Sequence, residues 1–256
     1  MATAIAGGLV KSGIFTPAEL GAFDPDPHAA EIFSSASGIK VDTADPALQI
    51  SGAETILVAV KPQMIQTALT PYKELLKDKL IISIAAGITI DRIAGITGAD
   101  RIVRVMPNTP ALVGKGASAY AVSEKTSADD RLLAEKILSS FGIAMPVKES
   151  DLDAVTALSG SGPAYVFEFI QALADGGVAE GLPRNMALLL AAQTVAGAAQ
   201  MVLETGEHPT SLKDKVTSPA GTTSRALEIL SVNAFSGTVI QAVRAAAKRS
   251  KELGKN

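Results

Sequence analysis

Up to residue 148, short apolar β-rich segments alternate with helical ones, and from Glu149 onward the β-rich segments stop. This change of rhythm restricts the fold more than any other feature of the chain. Candidate strands are LGAFD (20–24), GIKV (38–41), ETILVAV (54–60), KLIISIA (79–85), RIVRVM (101–106), ASAYAV (117–122) and IAMPV (143–147). Most are apolar without clean alternation, the pattern of strands buried on both faces of a parallel sheet. Between them PDPHAAEIFSSA, KPQMIQTALTPYKELL, TIDRIAGI and SADDRLLAEKILSSF have helical spacing, with Asp, Ser, Thr or Pro at their starts. Strand and helix in alternation predict an α/β domain over 1–148, doubly wound and Rossmann-like.

Residues 149–256 read as an all-α domain: LDAVTALSG, GPAYVFEFIQALADGGVAEG, PRNMALLLAAQTVAGAAQMVLETG, TTSRALEILSV and FSGTVIQAVRAAAKRSKELG. Its Ala-rich faces permit close helix packing. ALLLAAQTVAGAAQMVL is apolar nearly all round and asks for cover on most sides. A second copy of the chain would supply that cover, which predicts a homodimer or higher homo-oligomer through this half. A well-covered core helix is the other reading.

What the chain lacks narrows its partners. Its net charge is −3 with dispersed basic residues, Trp is absent and aromatics are 4%, so no nucleic-acid partner is expected and a small molecule fits better. No cysteine occurs, which excludes disulfides, thiolate nucleophiles and Cys-based zinc sites. His28 and His208 have no metal-ligand spacing, and no metal site is expected. TILVAV and LIISIAAGI end too soon to span a bilayer. MATAIAGGLVKSG lacks the basic start and long apolar centre of a secretory signal. The expectation is a cytoplasmic protein with no membrane partner.

DKVTSPAGTTSRALEIL, residues 214–230, gathers Thr217, Ser218, Thr222, Thr223 and Ser224 around Gly221, just ahead of an apolar helical repeat. Such a cluster is either an N-cap with extra hydroxyls or a seat for an anion.

VAVKP (58–62), SIAAGITI (83–90), RVMPNTPALVGKGASAY (104–120), DAVTALSGSGPAYVFEFIQALADGGVAEGLPR (153–184) and LKDKVTSPAGTTSRALEIL (212–230) together resemble pyrroline-5-carboxylate reductase. The resemblance runs in order along essentially the whole chain. It implies an oxidoreductase acting on a CH–NH bond, in which NADPH or NADH reduces a cyclic imino acid to proline, the last step of proline biosynthesis. Such a reaction needs alignment and a grip on the carboxylate more than a strong base. By this resemblance Ser218, Gly221, Thr222 and Thr223 bind the substrate carboxylate, Glu149 is a nearby substrate contact, and Thr156 is a catalytic hydroxyl near the imine nitrogen. Around Thr156, a tight turn at Gly160, Ser161 and Gly162 before Pro163 is the structural alternative.

The same resemblance places the cofactor along the carboxyl ends of the strands. Val60, Lys61 and Pro62 border the adenosine-ribose side, although Lys-Pro after a strand is also an ordinary helix entry. Ala85 and Ala86 leave room for the nicotinamide. Asn108 and Thr109 lie in a proline-bracketed loop that a rigid turn explains equally well. Asp24, ending LGAFD, suits the ribose 2′-hydroxyl of NADH, yet family members often use NADPH, and Asp24 alternatively caps the next helix.

The front of the chain departs from the family. MATAIAGGLVKSG is helical, with Ile5, Gly8 and Leu9 on a face able to lie against a sheet, and neither an opening strand nor a G-x-G-x-x-G turn precedes it. The sequence begins at what corresponds to the methionine of the family's G-x-G-N-M turn. Roughly ten residues, one strand and its turn, are therefore expected to be missing through truncation or a start codon assigned too late. That loss would expose two buried edges and weaken cofactor binding.

Two rivals are to be weighed, and the sequence counts strongly against the first. A β-hydroxyacid dehydrogenase needs a Lys with an Asn one turn later on its interdomain helix, and GPAYVFEFIQALADGG contains neither. A non-catalytic dimeric scaffold or cofactor sensor derived from the family would keep the helix packing without turnover.

Overall fold

The computed structural model describes residues 1–254. The chain forms two compact units, one of Met1–Ser161 together with the stretch from Ala245 onward, the other of Gly162–Arg244.

The first unit opens with α1 (Ala2–Lys11), β1 (Ala22–Phe23), α2 (Pro27–Ser37), β2 (Val41–Asp42) and α3 (Ala47–Gly52). It continues with β3 (Thr55–Val58), α4 (Ile65–Leu69), α5 (Lys73–Leu76), β4 (Leu80–Ser83), α6 (Ile90–Thr97) and β5 (Arg101–Met106). Then follow β6 (Gly116–Val122), α7 (Ala128–Ser139), β7 (Gly142–Pro146) and α8 (Leu152–Val155). Local chemistry sets several boundaries. Asp26 caps α2 by accepting the His28 N–H at 2.9 Å, and Ser127 and Asp130 form a capping box on α7. The helical segment expected over 61–76 is broken into α4 and α5 by a 3-10 turn at Thr70–Tyr72, because Pro71 has no N–H to continue the ladder.

Strands β3 to β7 form one sheet in chain order, and β1 pairs with β2 in a separate two-stranded sheet. The expected parallel arrangement holds for β3–β4–β5 and for β6–β7, but β6 runs antiparallel to β5, with Val103 opposite Val122 and Met106 opposite Ala119. The connection 107–115 contains only a 3-10 turn, Thr109–Val113, and is too short for the crossover helix that a parallel return requires.

Both faces of the sheet are covered, as the continuous apolar runs require. Ile81 and Ile102 face a cluster with Val58, Ile65, Leu76 and Ile93. Leu80, Ile82, Val103 and Tyr120 face the other, with Leu138 and Phe141. Ile5 and Leu9 of α1 enter this second cluster, so the helix lies on the sheet through the face read from its sequence. Each fully buried Leu or Ile contributes about 1.5–3 kcal/mol. Ser118 on β6 is 3% exposed and its Oγ has no hydrogen-bond partner. Ser118→Ala is therefore expected to leave stability unchanged or raise it by up to about 1 kcal/mol in urea denaturation; a clear loss would reveal a bond made by the hydroxyl.

The second unit is helical. Here α9 (Gly162–Ala179) and α10 (Arg184–Thr205) form a hairpin whose contact is built on buried Ala174, Ala187 and Ala191. Asp175 accepts from Gln171 Nε2 at 2.9 Å and from Arg184 across the hairpin, and these bonds, Gln171's first, hold its carboxyl below the ordinary range. His208 caps α11 (Pro209–Lys215) by accepting the Thr210 N–H on Nδ1 at 3.2 Å. Next come α12 (Thr222–Val232) and α13 (Phe235–Leu253). The rings of Phe169 and Phe235 meet at 5.8 Å, and α13 enters the first unit's residue range at Ala245.

Large apolar side chains in this unit point outward: Leu189 is 70% exposed, Leu203 71% and Val232 79%. By length and composition α10 could also cross a bilayer, a property the two short runs considered in the sequence do not have.

Candidate active site

Because β3, β4 and β5 are parallel, their following loops emerge at one edge. After β3, Val60 and Lys61 are exposed and Pro62 starts a 3-10 turn. After β4, Ser83 Oγ accepts the Ala85 N–H at 3.3 Å. Ala85 is buried, Ala86 is exposed, and Gly87 turns the chain at φ 76° before Thr89 caps α6. This loop presents the Ala86 methyl and backbone at the sheet edge.

After β5, Thr109 is exposed but Asn108 is buried. Its Oδ1 accepts the Ala117 N–H at 2.9 Å and its Nδ2 donates to the Ser159 carbonyl at 3.1 Å. Both ends of the amide are thus engaged within the protein. Asp24 stands at the end of β1, where its N–H donates to the Asp42 carbonyl at 3.1 Å and its Oδ1 accepts the Asp26 N–H at 3.0 Å. The residue that caps α2 is Asp26, not Asp24 as the alternative reading had it.

Glu149 and Thr156 lie on the segment after β7. Glu149 starts a 3-10 turn, α8 follows, and Thr156–Gly160 form a π turn closed by the Ser161 N–H on the Thr156 carbonyl at 2.8 Å. Single π turns inside helices are frequent at functional sites. Thr156 Oγ1 donates to the Leu152 carbonyl at 2.7 Å, leaving its lone pairs as acceptors. Glu149 Oε1 accepts the Ile90 N–H at 2.7 Å and Arg104 Nη1 at 2.8 Å. Arg104 was not singled out in the sequence, although an arginine inside RIVRVM demands a partner.

In the second unit, the hydroxyl cluster leads into the start of α12. Gly221 is the N-cap, no side chain caps the helix, and its first turn carries no acidic residue. Two of the hydroxyls bond elsewhere: Thr217 Oγ1 donates to the Lys213 carbonyl at 2.7 Å and Ser224 Oγ to the Gly221 carbonyl at 2.8 Å. Ala220 holds φ 57° to make the entry, and Ser218 Oγ occupies the space that a methyl at Gly221 would need. The four N–H groups at a helix start have no intrahelical acceptor, so this end offers donors and a positive dipole beside Ser218, Thr222 and Thr223.

Residues 149–253 match the family described as pyrroline-5-carboxylate reductase dimerisation, and residues 1–87 match NADP oxidoreductase, coenzyme F420-dependent. The chain is 45% identical over 257 residues to a pyrroline-5-carboxylate reductase of Methanosarcina acetivorans, an alignment spanning 100% of this chain and 95% of that protein. The Arabidopsis thaliana enzyme is 43% identical over 258 residues, spanning 100% and 93%. Among solved structures, a pyrroline-5-carboxylate reductase from Coxiella burnetii superposes with a TM-score of 0.91 at 35% identity, covering 98% of this chain and 93% of that one. Plasmodium falciparum pyrroline carboxylate reductase with NADP bound gives 0.87 at 35% identity with the same coverage. Identity at this level over the full length is far beyond what a shared fold requires, and the chain belongs to the pyrroline-5-carboxylate reductase family.

Proposed function

We propose that this protein reduces 1-pyrroline-5-carboxylate to L-proline as a cytoplasmic homo-oligomer. NADPH or NADH, when bound, supplies the hydride. The observation that carries the reading is the start of α12, a helix N-terminus ringed by hydroxyls and left without a side-chain cap.

The first-turn N–H groups of α12, with Ser218, Thr222 and Thr223, hold the substrate carboxylate through charge-assisted bonds, without an arginine. Gly221 lets Ser218 close on the same point. Thr156 Oγ1, its own proton directed at the Leu152 carbonyl, accepts from the ring N–H of the protonated imine and orients its C=N bond. A protonated imine needs no strong base, consistent with the absence of His and Cys from these segments. Ala85 and Ala86 make room for the nicotinamide, Val60, Lys61 and Pro62 border the adenosine ribose, and Thr109 and the Asn108 loop flank the same edge. Asp24 reaches a ribose 2′-hydroxyl and disfavours a 2′-phosphate.

The test is oxidation of NADPH and of NADH in the presence of pyrroline-5-carboxylate, with turnover expected from the unmodified chain and none from a scaffold. Thr223→Val and Ser218→Ala are each expected to raise the substrate KM about 10-fold or more, the cost of one hydrogen bond to a charged group. Unchanged KM values in both variants would remove the carboxylate seat from α12.

A further inference from the structure

Strand β5 carries a charge in its middle. Ile102, Val103 and Val105 are at most 2% exposed and Arg104 among them is 9% exposed, so its guanidinium requires a fixed counter-charge. Glu149 provides it at 2.8 Å, and the same Oε1 takes the Ile90 N–H at 2.7 Å. Ile90 opens α6 immediately after the loop of Ala85 and Ala86. Glu149 opens the segment that runs through α8 to the turn of Thr156. One carboxylate oxygen thereby joins a strand, a strand-end loop and the Thr156 segment. Two further bonds fix that segment, from Asn108 Nδ2 to the Ser159 carbonyl at 3.1 Å and from Ser250 Oγ to Asp153 Oδ1 at 2.6 Å.

Glu149 Oε1 already accepts from a buried guanidinium and from the Ile90 N–H, so this oxygen is poorly suited to a further bond with substrate. We infer that Arg104 and Glu149 are positioning residues for the reduction proposed above, on which this inference rests. Through their ion pair β5 holds the Thr156 turn in register with the Ala85–Ala86 loop, and neither side chain touches substrate.

Arg104→Met, Glu149→Ala and Glu149→Gln, each in the full-length chain, are compared with the unmodified protein by steady-state kinetics and by amide hydrogen exchange. Arg104→Met and Glu149→Ala are expected to lower kcat about 10- to 100-fold, the size of effect produced by displacements near 1 Å. Substrate KM is expected to move less than about threefold. Glu149→Gln keeps an acceptor for Ile90 and Arg104 and recovers most of kcat. Exchange rises in residues 84–90 and 149–160 of the two damaging variants, and the double variant Arg104→Met/Glu149→Ala is no slower than the worse single one.

A substrate KM raised more than about 10-fold with kcat kept in the Glu149 variants would make Glu149 a direct contact and overturn the inference. Arg104→Met indistinguishable from the unmodified protein in kcat and exchange overturns it as well. If Arg104→Met does not fold, equal kcat for Glu149→Gln and Glu149→Ala has the same force. Absence of turnover in the unmodified protein defeats the proposed function alone; exchange then decides whether the pair holds the turn, and unchanged exchange in Arg104→Met rejects it.

Discussion

Placing glutamate at both Leu190 and Met201 of α10 is expected to break the assembly of this protein and abolish its turnover. The two positions are eleven residues apart, three helical turns, and so share a face of α10. They are 53% and 50% exposed in a single chain. The hairpin with α9 buries only Ala174, Ala187 and Ala191, leaving much of the apolar periphery of α10 without cover, and this segment lies within the dimerisation match over 149–253. Every carboxylate forced into a dry helix interface costs several kcal/mol, and symmetry doubles the count, so a loss of about 5 kcal/mol or more weakens association by roughly three to four orders of magnitude. Sedimentation over a range of concentrations reads the change. Since α10 is also long enough to cross a bilayer, vesicle co-flotation of the unmodified protein belongs in the same experiment. Partition into lipid together with an unaltered assembly in the variant would reject the second-copy explanation.

Gly142→Ala is expected to destabilise the first unit by about 3 kcal/mol or more, lowering Tm by roughly 6–12 °C. Gly142 starts β7 directly opposite Gly116, the first residue of β6, with φ at 155°. A Cβ there would run into the carbonyl, carbon and nitrogen of Gly116. The obstacle is backbone, which no rotamer change can clear. Gly116 has no room to retreat, for its own added Cβ would stand 2.9 Å from the Phe141 carbonyl and 3.0 Å from Ala111 Cβ. Thermal unfolding of the variant within about 2 °C of the unmodified protein would show that the two strands can separate at small cost.

Strand positions were legible because a buried strand leaves a short apolar run between turns. RIVRVM coincides with β5, and KLIISIA contains β4, buried along its whole length. The direction of β6 was not, since ASAYAV suits either direction and the short 107–115 connection decides. The helices of the second half were legible from their periodicity, whereas the cover for α10 depends on what stands outside a single chain. At the candidate site, the hydroxyl cluster before α12 could be located, but that no side chain caps the helix was not legible in it. Glu149 shows the opposite limit. Its type and place fitted a substrate contact, and only the approach of Arg104, forty-five positions earlier, reveals the bonds that occupy it. Asn108 likewise fitted both a cofactor loop and a rigid turn, and its two bonds to Ala117 and Ser159 depend on strands and turns the local sequence does not show.

Among the described residues, β3 pairs in parallel with β4, and its side chains alternate between the two faces of the sheet. Ile56 packs against the cluster that holds Ile81, and Leu57 against the one that holds Ile82. A one-residue slip of β3 against β4 would exchange Ile56 and Leu57 between those clusters, so the partition of the two side chains fixes the register that sets Ile56 opposite Ile81.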